Sequence, residues 1–182
     1  EGLKKIGESA FDECSSLESI KLPSTMTEVG KHAFWRCGLL KVVVLNEGLQ
    51  KIGEFAFCRC SSLESIKFPS TISEVGDHAF GRCGLLKDGV LNEGLKKIGK
   101  GAFDECSSLG SIIFSSTICE VGDQAFWGCK QLKVVVLKEG LQKIGELAFF
   151  LCSSLESIKF SSTICLLLSL RLVTMHLGVA IN

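Results

Sequence analysis

Residues 6–22 read IGESAFDECSSLESIKL, and the same plan returns along the chain every 23 residues. The plan can be written I/V-G-x-x-A-F-x-x-C-x-x-L-x-x-I/V-x-L/F. Seven of the ten cysteines keep this period, namely Cys14, Cys37, Cys60, Cys83, Cys106, Cys129 and Cys152. A fixed period of about 20 to 50 residues is the signature of repeat architectures. The chain therefore consists of seven copies of one structural unit.

One unit contains a strand pattern and a compact apolar segment. LESIKL places Ile20 and Leu22 on one face at period two, which predicts a short strand that Pro23 can end. GESAFDEC groups its apolar side chains on one buried face of a single helical or 3-10 turn. Such a unit is too short to be stable alone, so neighbouring units must stack and merge their apolar rows into one core.

The predicted fold follows from this stacking. We expect an α/β solenoid over residues 1–165, with one parallel strand per turn and short helical or 3-10 turns on the opposite side. At about 4.8 Å between strands, seven turns give a stack about 34 Å long.

The repeated pattern IGxxAFxxCxxLxxIxLP resembles the BspA-like leucine-rich repeat, a family found in bacterial surface proteins and in proteins of microbial eukaryotes. The resemblance covers residues 1 to about 165. It implies a curved, ligand-binding or adhesive solenoid and brings no catalytic residue. One unit departs from the pattern, since Gly89 replaces the inward isoleucine or valine of its strand, which predicts local underpacking there.

Residues 166–182 form a second departure, because a mostly apolar tail replaces the next repeat. Leu166 to Ile181 is shorter than the about 20 residues of a membrane-spanning helix and is interrupted by Arg171 and His176. A solenoid cap should present a polar outer face. We favour an artefact of a truncated or mis-spliced gene model over a genuine cap. The start without Met also indicates a fragment, and exposed ends would then favour end-to-end self-association.

The periodic cysteines pose a choice between a disulfide framework, a metal site and a structural role. In a parallel stack they form a column with Cβ atoms about 4.8 Å apart, beyond the usual ~3.5 to 4.5 Å of a disulfide. A straight column also cannot surround zinc tetrahedrally. We therefore predict buried, reduced structural thiols. Cys58, Cys119 and Cys165 lie outside the column. Cys58, at an exposed-looking position, is the best candidate for a reactive thiol; the competing interpretation is that it is present by chance.

Odd and even units differ, so the full period spans two units. Two columns of charged residues alternate in sign from unit to unit, and only Gly110 interrupts them: Lys5, Glu28, Lys51, Glu74, Lys97, Glu120 and Lys143, and Glu18, Lys41, Glu64, Lys87, Lys133 and Glu156. Stacking then places opposite charges next to each other. We hypothesise that this alternation helps to set the register of the turns.

The outward positions of the predicted strands alternate between apolar and polar bands. Exposed apolar residues with polar neighbours predict a protein-binding face. Its apolar anchors would be Val42, Val44, Val90, Ile113, Val134 and Val136, surrounded by Lys21, Lys67 and Lys159. The competing interpretation is the β-propensity of valine on a solvated strand.

A second candidate surface combines tryptophan and arginine, which are frequent interface anchors. Arg36, Arg59 and Arg82 stand on three consecutive units, next to Trp35. They predict a contact with an anionic or protein partner, unless Glu13 and Glu105 at the two ends merely neutralise them.

Composition and motifs restrict the class of function. Twenty basic and twenty acidic residues give zero formal net charge, which argues against nucleic acid or an anionic membrane as partners. Neither GxSxG nor a phosphate-binding loop occurs, and His32 and His78 lie two units apart, most simply as surface histidines. We expect no enzyme, no metal and no cofactor.

The function predicted from the sequence is therefore a non-catalytic module that binds an unknown protein through the strand face. The alternative is a structural or adhesive segment of a larger cell-surface protein. The many thiols and the absence of an Asn-x-Ser/Thr sequon slightly favour the cytoplasm, whereas the family resemblance favours the cell surface.

Overall fold

The computed structural model describes residues 2–91 and 93–160. Fourteen short strands alternate along this part of the chain between two parallel sheets. The first sheet contains β1 (Lys5–Ile6), β3 (Glu28–Val29), β5 (Lys51–Ile52), β7 (Glu74–Val75), β9 (Lys97–Ile98), β11 (Glu120–Val121) and β13 (Lys143–Ile144). The second sheet contains β2 (Ser19–Lys21), β4 (Val42–Val44), β6 (Ser65–Lys67), β8 (Asp88–Val90), β10 (Ser111–Ile113), β12 (Val134–Leu137) and β14 (Ser157–Phe160).

The register of both sheets equals the sequence period. Lys5 pairs with Glu28 in the first sheet, and Ser19 pairs with Val42 in the second. The predicted solenoid of about seven turns is confirmed, and so is its parallel strand pairing. Each turn contributes two strands rather than the single strand predicted, because the two-residue strands of the first sheet are too short to show an alternating pattern in the sequence.

The AFxxC segment joins the first sheet to the second as a series of tight turns. No helix occurs within residues 2–91 and 93–160, so the predicted helical or 3-10 turns are not confirmed. The reason is a left-handed backbone at two positions in each unit, such as His78 (φ 50°) and Arg82 (φ 61°), which interrupts a helical path.

This alternation satisfies the backbone of the segment. The N–H groups of His78, Phe80 and Arg82 donate to carbonyl oxygens of the next turn at 2.7–2.8 Å. The intervening residues Ala79, Gly81 and Cys83 donate within their own turn, at 3.0–3.3 Å. Because every second donor is directed along the stack, a segment without regular secondary structure can lie in the core without unpaired N–H groups.

A ladder of phenylalanines occupies the core beneath these turns. Successive rings stack with centroids 5.1–5.4 Å apart and within 11° of parallel; the ladder runs Phe11, Phe34, Phe57, Phe80, Phe103, Phe126 and Phe149. Phe68 and Phe114, from the second-sheet side, meet the ladder edge-on. Offset stacking and edge-to-face contacts are the favoured geometries of aromatic pairs. The ladder therefore links all seven turns into one hydrophobic core.

Opposite charges lie next to each other in both predicted columns. Ion pairs join neighbouring turns at 2.6–3.5 Å, as in Lys5–Glu28, Lys51–Glu74, Lys143–Glu120, Lys41–Glu18 and Lys87–Glu64. These side chains are largely exposed, so each pair contributes only about 0.2–1 kcal/mol. Stability therefore comes mainly from the core, and the effect of the alternation on register stays a hypothesis.

Two predictions concern regions of which the structure says little. Gly89 pairs in register with Ile66 and Ile112, so the strand continues through it. The tail at residues 166–182 lies outside the described residues. Within the described part of the chain, no helix is long and apolar enough to cross a membrane.

Candidate functional site

The outer face of the second sheet presents apolar and basic side chains. We call this surface the strand face and define it by the outward residues of β2, β4, β6, β10, β12 and β14. Val42, Val44 and Ile113 are 52%, 39% and 54% exposed. The inward residues between them, such as Val43 and Ile112, are buried, so the strand alternation decides which side chains solvent reaches.

The remaining predicted strand-face residues differ in exposure. Lys21, Lys67 and Lys159 are exposed, as predicted. Val134 and Val136 are only half-buried rather than fully accessible. The side chain of Val90 lies outside what the structure describes. The apolar part of the strand face therefore centres on Val42 and Val44 in the second turn and on Ile113 in the fifth.

Sequence reasoning missed two exposed leucines at the edge of this face. Leu39 and Leu85 are 49% and 47% exposed. They occupy the same position two turns apart, directly before the buried Leu40 and Leu86. The signal was present in the sequence, because CGLL of the even units has leucine where CSSL of the odd units has serine. Both leucines lie between the arginine column and the second sheet along the chain.

The arginine column lies on the outer side of the turn segment. Arg36 donates to Glu13 of the preceding turn at 2.7 Å, and its guanidinium carbon lies 3.9 Å from the centroid of the Trp35 ring. Arg82 pairs with Glu105 of the following turn at 3.1 Å. Glu13 and Glu105 thus neutralise the ends of the column, as one of the two interpretations predicted. Arg59, in the middle, is exposed and forms no ion pair with any described residue.

The two histidines are half-buried in a stack rather than lying freely on the surface. His32, Phe55 and His78 stack with centroids 5.1 and 4.9 Å apart. His78 Nδ1 also lies 3.2 Å from Asp104 Oδ1, and burial raises the pKa of Asp104. No cluster of three or more metal-ligating side chains occurs among the described residues.

Two glycines make room for the His78–Asp104 pair. A Cβ at Gly81 would collide with the Asp104 carboxylate, and one at Gly101 would collide with the His78 ring. The pair crosses diagonally between neighbouring turns. A period of 23 residues does not reveal such diagonal contacts, so nothing in the repeat pattern predicted this pair.

The periodic thiols are structural, as predicted. Cys37, Cys60, Cys83, Cys106 and Cys129 are fully buried, and every described cysteine is free. Each of these five thiols donates to the carbonyl oxygen of a phenylalanine in the preceding turn, for example Cys83 Sγ to Phe57 O at 3.1 Å. Burial raises the pKa of Cys37 to about 11 and that of Cys83 well above its usual value.

The interpretation of Cys58 as an exposed, reactive thiol is wrong. Cys58 is only 6% exposed, and burial, with a further contribution from the Asp104 charge, raises its pKa to about 11. Left-handed residues at Phe55 and Arg59, on either side of Cys58, replace the helical turn that the sequence predicted.

The thiols give a direct test of this arrangement. In native protein at pH 8 we expect Cys58 and the column from Cys37 to Cys129 to resist Ellman's reagent, because they are buried and protonated. The half-buried Cys14 and Cys119 should react first. After unfolding without reductant, all of these thiols should react. The matched variant Cys58→Ala should leave the native reaction unchanged; a fast phase that disappears with this variant would contradict the burial of Cys58.

The repeated geometry defines the class of protein. Two parallel sheets, a stacked aromatic core and a fixed 23-residue period together make a leucine-rich-repeat solenoid. The chain belongs to the BspA-type leucine-rich repeat family: the model of the BspA type Leucine rich repeat region, in six copies, matches residues 1–93 and 83–167.

Solved structures agree with this assignment. The T. pallidum leucine-rich repeat protein is 30% identical with a TM-score of 0.80, and the match covers 98% of this chain and 79% of that one. A leucine rich cell surface protein from Faecalibacterium prausnitzii A2-165 is 30% identical with a TM-score of 0.79. That match covers 87% of this chain but only 43% of the other. Among curated proteins, none matches the chain.

Proposed function

We propose that the chain is a non-catalytic protein-interaction module that binds its partner through the strand face. The observation that carries this proposal is the exposure of Val42, Val44 and Ile113 on a regular sheet. Exposed apolar side chains with polar neighbours are typical of protein-binding surfaces. Membership of the BspA-type family supports the same class, since leucine-rich repeats generally serve interaction or adhesion.

The register arranges the apolar residues in two groups. Val42 lies between Ser19 and Ser65, and Val44 lies beside Lys21. Ile113 forms the second group, beside Val136 of the neighbouring strand. It lies three turns further along the stack than Val42 and Val44, which is about 14 Å at the spacing of strands. The exposed Lys67 belongs to β6, between the two groups. A partner would therefore place two apolar contacts along the stack and an acidic or polar group between them.

Paired substitutions on this face test the proposal. A partner first selected on the unmodified chain from a displayed library of protein domains should bind Val42→Asp with Ile113→Asp about a hundredfold more weakly, because both apolar anchors are replaced by charge. Affinity is measured by surface plasmon resonance. The matched control is Ser15→Asp with Gln50→Asp, which adds the same charge at exposed positions outside the strand face. Equal affinities of the two double variants would contradict the proposal.

A structural or adhesive segment of a larger cell-surface protein is the second candidate function. The structural similarity to the leucine rich cell surface protein, of which this chain spans 43%, favours it. The slight preference for the cytoplasm that the thiols and the absent sequon suggested has no comparable support. In an adhesive, binding would depend on the number of turns, so the Val42 and Ile113 substitutions would have little effect while removal of whole turns would weaken adhesion in proportion.

A further inference from the structure

The arginine column departs from the charge pattern of the two alternating columns. In the two alternating columns, a basic residue is followed by an acidic one in the next turn. Arg36, Arg59 and Arg82 instead stack three like charges on three consecutive turns. Like charges one turn apart repel each other. The chain thus stacks three like charges here, an arrangement that the two alternating columns avoid.

The two outer arginines turn away from the middle one. Arg36 reaches back to Glu13 in the first turn, and Arg82 reaches forward to Glu105 in the fifth. Arg59 is left exposed between them, without an acceptor among the described residues. Three positive and two negative charges leave a net charge of +1 on the column, which is centred on Arg59.

The backbone holds Arg59 in a fixed position. Its φ is 63°, and its N–H donates to Gly81 O at 2.7 Å, so the residue is anchored to the next turn. Small residues follow it along the edge: Ser61 in its own turn and Gly38 and Gly84 in the turns on either side. A Cβ at Gly38 would have no neighbour nearer than Ser61 Oγ at 3.8 Å, so the edge is not crowded at Gly38.

The exposed leucines define the sides of the same region. Leu39 and Leu85 belong to the turns before and after Arg59 and occupy the equivalent position in each. Their Cα atoms are two turns apart, about 10 Å at the spacing of strands. The two leucines stand in the column next to Arg59 along the chain, on the turns before and after it. One unpaired guanidinium beside exposed aliphatic side chains can bind a carboxylate that is flanked by apolar groups.

We propose that Arg59, with Leu39 and Leu85, binds an acidic side chain within an otherwise apolar segment of a protein partner. A guanidinium binds carboxylates through two parallel N–H donors. The one unpaired guanidinium of the column matches a single carboxylate. A sulfated glycan or an anionic membrane carries many negative charges, but Arg36 and Arg82 are already paired with Glu13 and Glu105, so the column offers such a ligand only one unpaired cation. This surface borders the strand face at Leu39 and Leu85 but shares no residue with it.

Peptide selection tests the proposal without a known partner. A random dodecapeptide library displayed on phage is selected on the unmodified chain. We expect the enriched peptides to contain Asp or Glu beside aliphatic residues and to bind Arg59→Gln at least about tenfold more weakly. The control Lys130→Gln removes one exposed positive charge three turns away and should bind like the unmodified chain. Enriched peptides without acidic residues, or equal binding to both variants, would overturn the proposal.

Two further measurements separate this site from other ligands and from the strand face. Heparin and phosphatidylserine vesicles should bind the unmodified chain no better than Arg59→Gln; a clear preference for the unmodified chain would assign the site to a polyanion and overturn the proposal. The selected peptides should bind Val42→Asp with Ile113→Asp normally. If that double variant alone loses them, the peptides bind the strand face, so the Arg59 proposal fails while the proposed function stands.

Discussion

Gly76→Ala is expected to destabilise the solenoid by about 3 kcal/mol or more, at the upper end of the cost of overpacking. A Cβ at Gly76 would lie 2.7 Å from the backbone nitrogen of Glu54 and 2.7 Å from the carbonyl carbon of Gly53. These are atoms of the preceding turn. Backbone cannot move aside as a flexible side chain can, so the methyl group would force two turns apart and weaken the strand pairing beside them.

The same position in the first turn provides the matched control. A Cβ at Gly7 would meet nothing within 4 Å. We therefore expect Gly7→Ala to change the free energy of unfolding by no more than about 0.5 kcal/mol. Urea unfolding followed by the fluorescence of Trp35 and Trp127 measures both variants. Equal midpoints for the two would show that the close approach of the turns does not explain the glycine column.

Phe80→Ala should cost about 3–5 kcal/mol, the range for removing a large buried aromatic side chain. Phe80 is 0% exposed and stacks between Phe57 and Phe103, at 5.4 and 5.3 Å. It also receives the edge-on ring of Phe68 at 5.6 Å. The cavity would lie in the fourth turn, so it would interrupt the core near its middle.

Phe11→Ala is the control for this substitution, because Phe11 belongs to the same ladder but is 37% exposed and stacks on Phe34 alone. Its loss should cost less than half as much. Since turns contact only their neighbours, a cavity in the fourth turn would weaken the coupling between the two halves of the stack. We therefore also expect Phe80→Ala to broaden the thermal transition, because the two halves would unfold at different temperatures. Calorimetry measures both effects. A loss for Phe11→Ala as large as that for Phe80→Ala would contradict a core that is continuous from turn to turn.

The repeat pattern was sufficient to predict the fold and the buried thiols because both depend on equivalence between units. Once residues 23 apart are neighbours, Lys5 must lie beside Glu28, and Cys83 must lie between Cys60 and Cys106. The direction of the strand side chains follows from a period of two, so the exposure of Val42, Val44 and Ile113 was predictable as well.

The errors arose where the local backbone departs from a regular element. The sequence predicted a helical or 3-10 turn and an accessible thiol at Cys58. In the structure, Phe55 and Arg59 have a left-handed backbone and the Cys58 thiol is buried. The N–H groups of Phe55 and Arg59 donate to Asp77 O and Gly81 O of the next turn, which stabilises this conformation. Such a conformation has no signature in one unit considered alone.

The sequence by itself therefore determined the number of turns, their register and which residues face the core. All three follow from one period and from the burial of apolar rows. Only the tertiary structure decided how individual side chains break that period. It turns Arg36 and Arg82 away from Arg59, joins His78 to Asp104 and buries Cys58. The physical reason is that a repeat makes the backbones of the turns equivalent, whereas ion pairs and exposure depend on which different side chains meet between neighbouring turns.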